Sequence, residues 1–426
     1  MNFIILFYNF KIIIKFKSMS FTKISINNIE SIISQNKHLN YTDLKSIFEA
    51  SNIEVREVKK QSLSNENSEM ELSDLYLLVS KESDNLSPLQ IECNGLILEK
   101  ETNKVVCMCL NKFNKIPNTT VINQIDYIEA IKSSHNKVRM EYCEDGTVIR
   151  LYNRINGSFN ERHNWYTATT KCIDARKSYW SSEKTFNDMF WEIFDESNFN
   201  VSDLNTDCTY SFILLHQENR IVVNHKYNNL IYINSIHNET KEENFTNYFY
   251  NENPRRSIRR TKQIDTSTAI NYPLDDYYLP DKRGVILKFL DESSNKWLLY
   301  QYDFNSYSTV KEIRGNVPQI RTRYLELLND NEKLEMLEAS YPESKMLFAM
   351  IKHCLNNLYK RIHKLYFESH VKHNITVTEE DPLFKTLKQL HGQFKKKNII
   401  VTLEVVIEKV NTLHPSIIGK LIGWVN

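Results

Sequence analysis

The sequence predicts an α+β chain with its strands first and its helices last. Short alternating apolar runs, each bounded by turn residues, recur from Leu72 to Tyr302, and a period of two marks a half-buried strand. From Arg321 onward, apolar residues repeat instead at i, i+3 and i+4, as in a helix packed on one face. The change falls at Gly315-Asn316-Val317-Pro318, a turn-rich stretch of the kind that separates domains. We therefore expect a strand-rich domain over 19–316 and an all-helical domain over 317–426. A chain of 426 residues has room for more than one buried core.

Residues 1–18 are expected to lie outside the fold. Met1 to Lys17 is apolar, but Lys11 and Lys15 break it, and it is too short to cross a bilayer. It also lacks the basic lead and small-residue cleavage site of a signal peptide. The first reading is an upstream in-frame extension, non-native or disordered, with Met19 opening an ordinary domain start. A membrane-surface or organellar peptide is the second. Ile26 to Ile53 has the spacing of two short helices, and Gln61 to Met70 is a polar loop. Leu72–Val79 and Leu89–Leu98 read as strands, the second turning at Glu101-Thr102-Asn103 into Val105–Leu110. Trp165–Lys171, Tyr210–Val223, Lys282–Lys288 and Lys296–Tyr302 read as further strands, and Trp180–Phe194 as an aromatic-rich helix. The helical part runs through Arg323–Ala339, Pro342–Lys372, Leu383–His391, Leu403–Thr412 and Pro415–Trp424. Pro342 stands at a helix start, where its missing N–H costs nothing.

Lysine and arginine number 54 against 53 aspartates and glutamates, so any affinity for nucleic acid must come from local patches. One such patch is the segment Pro254 to Lys262, where Arg255, Arg256, Arg259, Arg260 and Lys262 put five cations in nine residues. That density suits phosphate contact; a solvated loop or a nuclear-import signal is the other reading. The seven cysteines include no C-x-x-C, and the histidines are scattered. This pattern implies a reducing compartment, no disulfide framework and no metal site.

The stretch Met140 to Tyr152, MEYCEDGTVIRLY, reads as strand, polar turn and strand. It resembles the nucleotide-binding turn of the covalent nucleotidyltransferases: ATP-dependent RNA and DNA ligases and mRNA capping enzymes. In that family the turn reads K-x-D-G, and its lysine attacks the α-phosphate of ATP or GTP. Asp145 and Gly146 match, while Cys143 replaces the lysine. The phage-type RNA ligases are most similar, in a diverged copy of the kind found among large DNA viruses. They carry an upstream hairpin beginning R-G, where this chain has Asn94-Gly95, and a lysine–phenylalanine pair matched by Lys112-Phe113. Their serine–lysine strand is matched at Thr170-Lys171. Their F-E…N-R-I-V motif is matched by Phe212 and by Asn219-Arg220-Ile221-Val222, with Ile213 in place of the glutamate. In the E-G strand Arg283 replaces the glutamate before Gly284, and the K-x-K lysines fall at Leu299 and Gln301.

The resemblance implies a nucleotidyltransferase-like, ATP-grasp-like fold of mixed antiparallel sheets with an appended all-helical domain. It implies ATP and Mg as ligands and RNA or another nucleic acid as partner, with no membrane role. The implied nucleotide-contacting residues are Asp145, Gly146, Arg150, Lys171, Asn219, Arg220 and Lys288. Attack on a triphosphate needs an unprotonated, positioned nucleophile and a metal to neutralise phosphate charge. Cys143 beside Glu144 and Asp145 has its thiolate disfavoured by like charge. Ile213 coordinates nothing, and Arg283 repels a cation, though it suits an anion. The leading expectation is thus a pseudoenzyme that binds nucleic acid in the cytoplasm or a viral factory, the nucleus being a further possibility. The alternatives are an active ligase or guanylyltransferase using Lys137 or Lys171, and a virion protein reusing the fold for assembly.

Overall fold

The structure is a computed structural model that describes residues 29, 31–33, 40–58, 72–81, 87–110, 114–115, 138–154, 161–197, 199–245, 258–264, 282–291, 296–397 and 400–424. Residues 1–18, Lys112-Phe113, Lys137, Arg255 and Arg256 lie outside this set. Two compact units divide between Tyr307 and Ser308. The architecture is α+β: mixed, mainly antiparallel sheets in the first unit and helices in the second.

The first sheet joins β1 (Ile53–Glu57), β2 (Leu75–Ser80), β3 (Leu96–Glu99) and β4 (Val105–Cys107) in that order. β2, LYLLVS, is buried throughout, because both its faces are covered. Tyr76 and Leu78 pack with Phe48 of helix α1 (Tyr41–Ala50), whereas Leu75, Leu77 and Val79 face Tyr152 and Tyr166. Two readings are corrected here. Leu89–Leu98 is no strand: Ser87 and Gln90 form a capping box that starts helix α2 (Pro88–Glu92), and β3 begins only at Leu96. Ile53 likewise opens a strand rather than closing a helix.

The second and third sheets hold β5 (Asn114–Lys115), β6 (Val138–Cys143), β7 (Thr147–Asn153), β8 (Trp165–Ala168), β9 (Cys208–Leu215), β10 (Asn229–His237), β11 (Glu243–Asn244), β12 (Gln263–Ile264), β13 (Gly284–Asp291) and β14 (Lys296–Asp303). The second has the order β11-β10-β9-β7-β8, and the third β12-β6-β13-β14-β5 with only β14–β5 parallel. Alternation along β9 decides what faces what. Tyr210, Phe212 and Leu214 pack on Phe190 and Phe194 of helix α3 (Phe186–Glu196), while Ile213 and Leu215 cluster with Ile231. Burying a Phe such as Phe190 is worth about 1.5–3 kcal/mol. α3 begins later than its aromatic pattern suggests because the Thr185–Asp188 capping box fixes its first turn. β9 ends at Leu215, and a 3-10 turn over Gln217–Asn219 followed by loop to Val222 takes the place of a strand.

Helix α4 (Asn305–Arg314) starts ahead of the Gly315–Pro318 stretch where the sequence period changes. It is followed by α5 (Ile320–Glu326), α6 (Asn331–Ser340), α7 (Lys345–Tyr366), α8 (Phe384–Lys397), α9 (Leu403–Asn411) and α10 (Pro415–Leu421). α7 lays Phe348, Ile351, Leu355, Leu358, Ile362 and Tyr366 along one buried face, packed with Leu390, Val406 and Val410. Among the described residues, no helix is long and apolar enough to cross a membrane.

Candidate functional site

β6 belongs to the third sheet and β7 to the second, so Glu144-Asp145-Gly146 is where the chain crosses between them. A Cβ at Gly146 would overlap the Leu214 carbonyl oxygen and come within 2.7 Å of Ile213 Cγ2. Only glycine lets the turn lie against β9. Asp145 is buried and acts as a clamp. Its Oδ2 accepts from the Val222 and Val223 amides at 2.9 Å each, and its Oδ1 accepts from the Tyr307 hydroxyl at 2.6 Å. Asn219 Nδ2 donates to Thr147 Oγ1 at 2.9 Å, and Arg220 Nε to the Val222 carbonyl at 3.1 Å. Two matched stretches, distant in sequence, are thereby held together.

On the other side of the turn, Cys143 pairs with Gly284 across β6 and β13, and Arg283 lies beside it. Cys143 is buried, and burial is the first reason its thiol is pushed up to about 12. Arg283 pulls the other way, and Asp303, Asp145 and Glu144 add to the rise. The direction is the one foreseen from its acidic neighbours, but desolvation outweighs them. Arg283 donates from Nε to Asp303 Oδ1 at 2.7 Å and from Nη2 to Oδ2 at 3.3 Å. Gln301 Nε2 reaches the same carboxylate at 2.6 Å, and Lys282 Nζ lies 3.1 Å from Glu144. The Arg283 guanidinium that would suit an anion is thus already held by Asp303.

Between the second and third sheets lies a cavity of about 260 Å³. Ile213, Ile286 and Leu299 give it apolar walls; Glu141, Lys288, Asn234, Glu243 and Arg260 supply its polar groups. Glu141 takes Lys288 Nζ at 2.9 Å and Thr261 Oγ1 at 2.5 Å. Asn234 follows an irregularity in the β9–β10 register and donates its amide to Glu243. Its side chain is 1% exposed, yet its Oδ1 has no hydrogen-bond partner among the described residues. An unmet buried carbonyl costs about 1–3 kcal/mol.

The donor set speaks against a metal at the turn. Asp145, Glu144 and Asp303 are each engaged by protein donors, Ile213 offers no oxygen, and Arg283 adds positive charge. Among the described residues, no group of three or more His, Cys, Asp or Glu side chains is placed to hold a metal ion. The cavity, by contrast, combines apolar walls with a few polar side chains, as ligand sites do.

The remaining candidates are dispersed. Arg150, in β7, is 1% exposed and donates to the carbonyls of Gly95, Met108 and Thr169. It stitches β7 to the first sheet, and Gly95, at φ +104°, leaves room for its guanidinium. Lys171 sits beyond β8 at the edge of the second sheet, its carbonyl bonded to Arg56 at 2.8 Å. The basic segment is a strap: Ile258 is buried, the Arg259 carbonyl accepts from the Tyr232 amide at 2.7 Å, and β12 pairs with β6. Arg259, Arg260 and Lys262 are exposed along it, Arg260 at the cavity. Glu141, Asn234, Glu243 and Tyr307 went unnoticed in the sequence. Only Glu141 had a signal there, lying two residues before Cys143 on the same strand face.

No family model matches the chain. It is similar to the "Immediate-early protein ICP-46 homolog" of Invertebrate iridescent virus 6, 24% identical over 310 residues, which covers 65% of this chain and 65% of that protein. The like-named protein of Invertebrate iridescent virus 3 is 24% identical over 304 residues, covering 67% of this chain and 62% of that protein. The chain therefore spans less than two thirds of the length of either viral relative. Among solved structures it aligns with an archaeal ATP-dependent RNA ligase at 10% identity, covering 88% of this chain and 82% of that one, with a TM-score of 0.39. A Naegleria gruberi RNA ligase variant with ATP and Mn aligns at 11% identity over 51% of this chain and 65% of that one, with a TM-score of 0.29.

Proposed function

We propose that the strand-rich unit is a diverged RNA-ligase-like nucleotidyltransferase domain that binds RNA or another nucleic acid and no longer transfers nucleotides. The observation that carries this reading is the state of the turn. The positions that would supply nucleophile and metal ligands converge there as Cys143, Ile213 and Arg283. Every charged group around them is spent on a protein partner. A thiol pushed up to about 12 leaves on the order of one thiolate in 10⁵ at neutral pH. The cavity beside the turn is retained, and its apolar walls and the Asn234 acceptor suit a base with an exocyclic amine. Exposed Arg259, Arg260 and Lys262 supply phosphate contacts on the strap, with Arg255 and Arg256 of the same segment. The working compartment is the host cytoplasm or a viral factory, as for a protein of viral type.

Two measurements on the full chain test this. Incubation with radiolabelled ATP or GTP and Mg or Mn, followed by a denaturing gel, is expected to leave no label on the protein. Fluorescence anisotropy with labelled RNA is expected to show salt-dependent binding. Label on the protein would restore the active-ligase reading. Absence of RNA binding, together with stable oligomers, would favour an assembly role.

A further inference from the structure

The helical unit carries a surface that the strand-rich unit does not explain. After α7 the chain makes one wide π-type turn, Phe367–Val371, before leaving the helix. Wide turns of this kind occur at helix C-termini. This one carries His370, whose ring stacks on Tyr366 with centroids 5.0 Å apart and planes at 5°. His370 lies 4.5 Å from the ring of His391 on α8, and His391 stacks on Phe394 at 6.0 Å and 21°. The result is a continuous row of rings, Tyr366, His370, His391 and Phe394, crossing from one helix to the next. Phe394 is 38% exposed, and Phe367 on the same turn as His370 is 43% exposed. Burial lowers both imidazole pKa values, and the neighbouring His373 and Lys395 charges add to this. Both shifts favour the uncharged rings.

Cations border the row. Lys388, His391 and Lys395 follow one another at i, i+3 and i+7 on α8, and Lys395 and Lys396 are exposed. Lys388 lies over the Phe384 ring at 5.8 Å, and Lys372 over Phe367 at 5.2 Å. Between Lys345 and Lys397 there are eleven lysines and arginines against four acids. One acid, Glu368, is held by Lys372 at 3.1 Å and Asn374 at 2.8 Å. The other three, Glu379, Glu380 and Asp381, precede the N-terminal end of α8, roughly 15 Å along the helix axis from Phe394. Scattered exposed apolar residues need no explanation, but a row of touching rings among lysines, stacked at both ends and tilted by 51° at the His370–His391 step, forms a recognisable pattern. An acidic protein partner would use the lysines and leave the ring faces idle. A single strand of nucleic acid uses both, its bases on the rings and its phosphates on the ammonium groups.

We propose that the surface formed by Phe367, His370, His391 and Phe394, flanked by Lys388, Lys395 and Lys396, binds single-stranded nucleic acid. This does not depend on the ligase-like reading of the first unit. The test uses the full chain and a fluorescein-labelled single-stranded RNA, with the matching DNA as a second arm. Phe367→Ala and Phe394→Ala are each expected to weaken binding between about fivefold and a hundredfold. Phe394→Trp keeps a stacking face and is expected to bind as the native chain does. The triple change Lys388→Ser, Lys395→Ser, Lys396→Ser should flatten the plot of log K against log salt by roughly 0.7 per lost contact. Melting temperatures within a few degrees of the native chain establish that the variants are folded. Native affinity in both folded Phe variants overturns the proposal, as does failure of the full chain to bind either strand. Loss confined to an Arg259→Ser, Arg260→Ser, Lys262→Ser variant also overturns it, while leaving the reading of the first unit standing.

Discussion

The turn at Cys143 and the cavity beside it lie in the same unit, and they have been treated differently. At the turn, each ionised group has found a partner within the protein: Asp145 with two amides and a tyrosine, Arg283 with Asp303, Lys282 with Glu144. In the cavity an apolar wall remains, and one deeply buried acceptor, Asn234 Oδ1, is unmet among the described residues. The difference lies in the charged groups, which the turn pairs off, and in the apolar walls, which the cavity keeps open. On the function proposed above, the turn is scaffold and the cavity is the recognition site.

The contrast breaks first at Asp145. Asp145→Ala strands two buried amides and a hydroxyl, so urea unfolding should show a loss of about 3–5 kcal/mol from the first unit. A loss below about 1 kcal/mol would mean the clamp is not structural. Asn234→Leu should do the opposite: stability within about 1 kcal/mol of native, because removing an unmet carbonyl offsets the lost amide bond to Glu243, and nucleoside binding weakened about tenfold. Calorimetric titration with adenosine or cytidine reads the second effect; unchanged affinity would place the ligand elsewhere.

A subtler effect concerns the thiol. Burial raises the Cys143 pKa from 9.0 to about 12. Its contribution to stability is therefore fully present below pH 9 and is lost as pH rises towards 12. At about pH 8, below the ordinary thiol pKa, iodoacetamide should leave Cys143 unmodified in the folded chain and modify it readily in urea, as peptide mass spectrometry would show. Rapid labelling of the folded protein would reveal an accessible, reactive cysteine. The smallest effect belongs to the strap. Changing Arg259, Arg260 and Lys262 to Ser should leave the melting temperature alone, since their side chains are exposed and the strap is held by its backbone. It should still lower the RNA salt slope by roughly 0.7–0.9 per lost contact.

Much of this was legible in the sequence, and the misses have physical causes. The Asp145-Gly146 turn announced itself because only glycine tolerates such an approach to β9. The order of strands and then helices was legible from period alone. Leu89–Leu98 misled because its apolar run outweighed a readable capping signal, Ser87-Pro88 with Gln90. Arg150 is expected from the resemblance to contact a nucleotide, whereas its guanidinium is buried against backbone carbonyls. Its burial depends on carbonyls from Gly95, Met108 and Thr169, which no local pattern brings together. The Asn234 acceptor depends on a register shift, and the Asp145–Tyr307 bond joins residues 162 apart in sequence. Contacts of this kind are set by tertiary structure and leave no periodic trace.

The most direct test of the central claim is repair of the nucleophile alone. Cys143→Lys places an amine beside Arg283, which lowers its pKa and by itself favours attack. The surrounding carboxylates stay engaged, and Ile213 still offers no ligand, so charge developing on the phosphates lacks its metal, a deficit of several kcal/mol. Incubated with radiolabelled ATP and Mg or Mn, this variant is predicted to acquire no label. The triple variant Cys143→Lys, Ile213→Glu, Arg283→Glu should fare better, though the carboxylate introduced at position 283 would face Asp303. Label transfer to the single variant at a rate comparable with an ordinary ligase would contradict the account, for it would mean that the turn is still a catalytic site lacking only its lysine.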